Sequence, residues 1–163
     1  MKSKFNVVII LCFCSIIGCK SEYEKTVYSE IRSGKINNKL FLGLEFGQSN
    51  EEYFEQCFKL NADKKINQAN RGGYAEYIMH TTLKNDPNKI IMSFKPFFNN
   101  KILTSIDLRF RHTTWAPWNR ETQSEVLIEK IKDTLMNWYS GNKFFKLNIS
   151  DNKNTGALIK IDG

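Results

Sequence analysis

The chain has 163 residues, enough for one domain of ordinary size and too few for two once an N-terminal leader is set aside. Hydrophobic residues make up 41% and charged residues 25%, which excludes a disordered chain, and nine Gly with three Pro exclude a collagen-like or linker-like one. The formal charge of +7 is compatible with nucleic acid, an anionic membrane surface or neither, so charge alone names no partner.

Lys2 and Lys4 precede an apolar run over 5–17, interrupted only by Asn6 and Ser15. A membrane-spanning helix needs roughly 20 apolar residues, so this run is too short. A basic start, a short apolar core and a small residue after it form the pattern of a secretory signal. The segment Ile16-Ile17-Gly18-Cys19 then resembles the lipobox of bacterial lipoproteins. That resemblance implies a diacylglycerol on the sulfur of Cys19, cleavage before it, palmitate or a similar acyl chain on the new N-terminus, and a place in the cell envelope. Lys20 follows the cysteine where Asp is absent, which in such lipoproteins points to the outer membrane more than the inner. Two or three acyl chains, at ~0.8 kcal/mol per buried CH₂, make a lasting anchor where one is marginal.

Processing at Cys19 gives the organisation 1–18 signal peptide, 19–38 lipidated cysteine and tether, and 39–163 a single domain. Cys12 and Cys14 leave with the signal, so Cys57 is the lone cysteine of the mature domain and no internal disulfide is expected. It sits between Phe54 and Phe58 on an expected helix and reads as a small buried apolar residue. Loss of Lys2 and Lys4 leaves 22 basic and 17 acidic side chains, a modest excess of +5.

Beyond the polar stretch 20–38, residues 40–46 read as a strand ended by Gly47. Ser49-Asn50-Glu51-Glu52 is a capping box opening a helix to about Asn61, with Phe54, Cys57, Phe58 and Asn61 on one side and Tyr53 beside it. Residues 62–73 read as loop. Three strands follow, over 74–83, around 90–95 and from 102, with a turn by composition at 84–88 and a hairpin at Asn99-Asn100. In the second, Ile90, Met92 and Phe94 alternate with Ile91, Ser93 and Lys95, and Pro96 marks an edge or a bulge. In the third, Ile102, Thr104, Ile106, Leu108 and Phe110 face one way, and Leu103, Ser105, Asp107, Arg109 and Arg111 the other. One sheet face is thus dry and the other wet.

Thr122-Gln123-Ser124-Glu125 offers a second capping box, for a helix to Ser140 with Leu127, Ile131, Leu135 and Trp138 as its apolar stripe and Gly141 as its stop. A closing hairpin spans 144–149 and 157–161. The order β-α-β-β-β-α-β-β gives an α+β fold, an antiparallel sheet of five to six strands with two helices packed on one face. Asp162-Gly163 is itself a hairpin signal, so a return strand is expected to be missing, leaving 157–161 as an exposed edge.

No catalytic constellation is visible. His80 and His112 have no partner at ligand spacing, no Cys/His cluster exists for a metal, and no phosphate loop or nucleophile elbow is present. Glu51, Glu52 and Glu55 fall in the first turns of a helix, where carboxylates serve the dipole. No enzyme activity, cofactor or metal is therefore expected. Lys and Arg are dispersed, and export removes the chain from nucleic acid. Arg109 and Arg111, with Lys95 nearby, make at most a small basic patch on the wet sheet face, which a solvated face explains.

Phe46-Gly47-Gln48-Ser49-Asn50-Glu51-Glu52 resembles the turn that opens the first helix in SmpA/OmlA-type outer-membrane-assembly lipoproteins, compact α+β domains that bind other proteins. The chain as a whole resembles envelope lipoproteins without a known activity. Trp115-Ala116-Pro117-Trp118 is the most unusual segment: two indoles flank a stiffening proline between sheet and helix. Such a pair can anchor a protein partner or stack on a sugar, and it can equally cap a core, with at least one ring expected to be buried. The expected function is a lipid-anchored envelope module that binds another envelope protein without catalysis. The alternative is a carbohydrate-binding or carbohydrate-processing accessory using Trp115 and Trp118.

Overall fold

The computed structural model describes residues 20–70, 72–79, 88–148 and 156–162. The signal segment, Cys19, His80, most of the 84–88 turn and the tip of the closing hairpin lie outside the described residues. The fold is α+β and divides into two compact units, Met1–Ile36 with Gly141–Gly163, and Asn37–Ser140.

In the first unit, α1 spans Glu22–Ser33. Residues 20–38 were expected as a tether, yet Ser21-Glu22-Tyr23-Glu24 holds a capping box: the Ser21 N–H donates to Glu24 at 2.8 Å and the Glu24 N–H to Ser21 Oγ at 3.2 Å. Gly34 ends the helix in the left-handed conformation, φ 61°. β5 (Phe145–Asn148) and β6 (Gly156–Ile159) pair antiparallel as a two-stranded sheet of their own. Tyr23 of α1 meets Phe145 edge-on at 5.7 Å. Asn142 ties the unit together, donating from its amide to Glu30 at 2.7 Å and from its backbone N–H to Asp162 at 2.7 Å. The Lys160 ammonium lies against the same Asp162 carboxylate.

The second unit opens on a correction. Residues 40–46 form no strand: the chain doubles back through Leu42 (φ 56°) and Gly43 (φ 76°), with Lys39 bridged to Glu45. This fold-back buries Phe41 and Leu44 side by side, which an extended strand would send to opposite faces. α2 (Asn50–Ala62) starts at the expected Ser49 box, with Ser49 N–H to Glu52 at 2.7 Å and Glu52 N–H to Ser49 Oγ at 3.2 Å. Its buried stripe is Tyr53 and Leu60 with Cys57 partly covered, a spacing of four and three residues, so Phe54 and Phe58 turn outward. Burial pushes the Cys57 thiol above its ordinary range.

β1 (Ile66–Gln68), within the expected loop, β2 (Ala75–Met79), β3 (Ile90–Asn99) and β4 (Ile102–His112) form a meander in sequence order. β3 and β4 are joined by Asn100 and Lys101, both at positive φ, as a two-residue hairpin of the favoured twist requires. A register shift beside Phe97/Phe98 puts one extra residue, Thr104, into β4. The phase expected for the start of β4 is therefore inverted: Leu103 is 1% exposed and Ile102 40%. Pro96 lies beyond the end of the β2–β3 pairing, where no ladder donor is needed on that side.

A 3₁₀ turn (Arg120–Thr122) leads into α3 (Ser124–Trp138). The expected Thr122 box does not cap α3: Thr122 is buried in the 3₁₀ turn and its hydroxyl donates to Asn119 O at 3.0 Å. Tyr53 and Leu60 of α2 and Leu127 and Ile131 of α3 share one apolar cluster with Met92, Phe94 and Leu103 on a single sheet face. Among the described residues the element order is thus α-α-β-β-β-β-α-β-β; on the opposite sheet face Ile91 and Ser93 of β3 are buried as well, while Arg109 and Arg111 of β4 are exposed.

Candidate functional site

The segment 113–119 is held by a partly buried polar network. Ala116 to Asn119 form a tight turn, with the Asn119 N–H donating to Ala116 O at 3.0 Å and Pro117 at the position where its fixed φ fits. Gln123 donates from its amide to Pro117 O at 3.1 Å and Asn119 O at 3.3 Å. Asn119 accepts from the Glu121 N–H at 3.1 Å and donates to Asn88 Oδ1 at 3.4 Å, while Asn88 donates to Glu121 at 3.1 Å. The Thr113 N–H donates to Lys89 O at 2.8 Å. His112 is buried, and its Nδ1 lies 3.1 Å from Asn88 O; a carbonyl only accepts, so Nδ1 carries the proton. His112 is a strut of this loop.

On that platform Trp115 is 65% and Trp118 85% exposed. The expectation that at least one ring caps the core is overturned: the turn residues spend their backbone polar groups on Gln123, Asn119 and Lys89, and the rings are left on the solvent side. Trp138 is the contrasting indole, 39% exposed, with its ring 6.3 Å from Phe41 and 6.4 Å from Tyr139. Exposed apolar rings fixed on a rigid loop are the surface feature that marks interaction sites.

Arg109 and Arg111 sit on the sheet face away from the apolar cluster, one alternation apart. Arg109 donates to Asp107 from Nε at 3.3 Å and Nη2 at 3.2 Å, and its guanidinium carbon lies 4.7 Å from the centre of the Tyr74 ring. The Tyr74 hydroxyl donates to the same carboxylate, which holds Asp107 below the usual carboxylate range and raises the Tyr74 phenol. Arg111 donates to Glu76 at 3.3 Å, and Ser93 Oγ to the same oxygen at 3.3 Å. A shallow hollow of about 380 Å³ lies over Asn70, Tyr74, Glu76, Ser93 and the two arginines. Each guanidinium is thus matched to a carboxylate of the same face, as on a solvated sheet surface. The phase of the strand expected over 74–83 is ambiguous in the sequence, so the pairing of Tyr74 and Glu76 with β4 needed the register of β3 between them.

Among the described residues no group of His, Cys, Asp and Glu is arranged to hold a metal ion, and no helix is long and apolar enough to cross a membrane. Cys19 lies outside the described residues. No protein-family model matches the chain, and comparison with curated proteins and with solved structures finds no significant match.

Proposed function

We propose that this chain is a lipid-anchored protein of the bacterial cell envelope, outer membrane more than inner, whose α+β fold binds another envelope protein through the Trp115–Trp118 loop without catalysing a reaction. One observation carries the docking part: both indoles are exposed on a loop that the Asn88–Asn119–Gln123 network fixes in place. Fixed aromatic anchors lose little conformational entropy on binding, and Trp is the residue most enriched among interface hot spots. The anchoring part rests on the sequence Ile16-Ile17-Gly18-Cys19.

The test is photocrosslinking in intact cells, with a benzophenone amino acid at Trp118 and, as control, at Phe58, an exposed aromatic of α2. Discrete protein adducts from position 118 and none from 58 support the reading. Equal labelling from both positions refutes it. The same indoles suit a sugar ring, so glycan-array binding that is lost in Trp118→Ala would assign the loop to carbohydrate instead.

A further inference from the structure

The helix that replaces the expected tether has two unlike sides. One side is turned to the closing hairpin: Tyr23 meets Phe145, Glu30 accepts from Asn142, and Glu22 pairs with Lys143 at 2.8 Å. The other carries Lys25, Tyr28, Ser29 and Arg32, whose spacing of three, four and seven residues places them on one face. Lys20, from the residue pair before the helix, reaches over this face, its ammonium 3.8 Å from the centre of the Tyr28 ring. Tyr28 is 54% exposed and Ile31, at the margin of the face, 73%. A hollow of about 390 Å³ lies among Lys20, Lys25, Tyr28, Ser29 and Arg32.

The acids of α1 are committed elsewhere. Glu24 folds back on Ser21, Glu22 goes to Lys143 and Glu30 to Asn142. What faces solvent is three cations around an aromatic ring with an aliphatic side chain beside it. A phosphate with an apolar tail matches that set: the cations take the phosphate, while Tyr28 and Ile31 sit at the boundary with the acyl chains.

From this we infer that α1 lies along an anionic bilayer surface and binds phospholipid headgroups through Lys20, Lys25, Tyr28 and Arg32. The inference rests on the proposed lipid anchor, because that anchor fixes where the helix begins. Glu22 is three residues from Cys19, so α1 starts within roughly 10 Å of the acylated sulfur at full chain extension. A twelve-residue helix is about 18 Å long, too short to cross a hydrocarbon core of about 30 Å, so α1 meets a bilayer at its surface. Each Lys or Arg near an anionic leaflet strengthens attachment roughly fivefold, so three cations together give on the order of 100-fold.

The experiment uses the full chain purified from bacterial membranes and reconstituted into two kinds of vesicle, phosphatidylcholine alone and phosphatidylcholine with about a third phosphatidylglycerol. Flotation reads the anchor, and amide hydrogen exchange over 22–33 reads the helix. The expected result is flotation with both vesicles and slower exchange only with the anionic one. That protection should be lost at high salt and in the double variant Lys25→Gln, Arg32→Gln, with helix content unchanged by circular dichroism. Flotation with equal exchange in both vesicles overturns the inference, as does protection that survives in the double variant, which would mean that α1 docks on something other than phosphate. Flotation with the anionic vesicle alone overturns the anchor reading separately. The helix is then judged by whether that flotation is lost in the double variant Lys25→Gln, Arg32→Gln: loss supports the inference and persistence refutes it.

Discussion

Truncating Trp118 to Ala removes a ring that is 85% exposed, and truncating Trp115 removes one that is 65% exposed. Little packing is lost in either case, so Trp118→Ala should change folding free energy by within about 0.5 kcal/mol and Trp115→Ala by under about 1 kcal/mol. Trp138 supplies the internal standard. Its ring is only 39% exposed and lies beside Phe41 and Tyr139. A fully buried Trp→Ala costs ~3–5 kcal/mol, and scaling by the covered part of the ring gives about 2–3 kcal/mol for Trp138→Ala. Urea melts followed by far-ultraviolet circular dichroism avoid any dependence on the indole signal itself. With the benzophenone moved to the exposed Arg120 beside the loop, crosslinking yield should fall about 30-fold or more in Trp118→Ala, corresponding to a hot-spot loss of about 2 kcal/mol. If Trp115→Ala or Trp118→Ala destabilises the fold as much as Trp138→Ala, the rings are core residues and the docking proposal loses its support.

Under the proposed anchor, Cys19→Ser should abolish incorporation of radiolabelled palmitate and leave the precursor uncut at this site; normal incorporation would refute the lipoprotein reading. Tyr74→Phe should raise the Asp107 carboxyl toward its ordinary value, because the tyrosine hydroxyl is the main cause of its lowering. A depressed carboxyl stabilises the fold above its unfolded value near ~3.9, and that contribution disappears as pH falls through the folded value. Wild type should therefore keep more of its stability just below pH ~4 than Tyr74→Phe does, measured by nuclear magnetic resonance titration of Asp107 alongside acid melts.

Local rules read from sequence held at several points where short-range chemistry decides the outcome, although the Thr122 box did not cap α3. Ser49 with Glu52 opened α2 as expected, and the alternation of Ile90, Met92 and Phe94 gave the dry face of β3. They failed where a distant partner decides. The apolar run 40–46 has strand composition, but Gly43 lets it fold back, and Phe41 then packs edge-on against Phe94 at 5.2 Å, a contact invisible at short range. The bulge in β4 has no mark in its own sequence; the partner side is the β3 segment around Phe97/Phe98, and the bonds Gly47 N–H to Leu103 O and Leu103 N–H to Gln48 O hold the strand in the shifted phase. Ser21 with Glu24 meets the same capping rule as Ser49 with Glu52, but no apolar stripe follows it; α1 has no buried residue and draws on Phe145 and Asn142 instead. The tryptophan pair was legible as a feature, but its exposure was not, because that depends on Asn88 and Gln123, which are separated from the rings in sequence.

The size of the loop sets how strong its docking can be. An indole carries about 150–250 Å² of surface, so the two rings together leave about 300 Å² for a partner to cover, worth about 7 kcal/mol at ~25 cal/mol per Å². Association costs about 4–15 kcal/mol in lost freedom. The rings alone therefore give at best a few kcal/mol net, which is millimolar binding. Tethering changes this balance: when both molecules are confined to one membrane, the encounter behaves as if at roughly millimolar concentration, enough to populate such a contact without any further surface. Under the proposed function, crosslinks through position 118 should form in intact envelopes, vanish after solubilisation into dilute detergent and return when the mixture is reconstituted into vesicles. A complex that survives dilution to micromolar protein in detergent would require an interface much larger than the Trp115–Trp118 loop, and would refute the assignment of docking to these two rings.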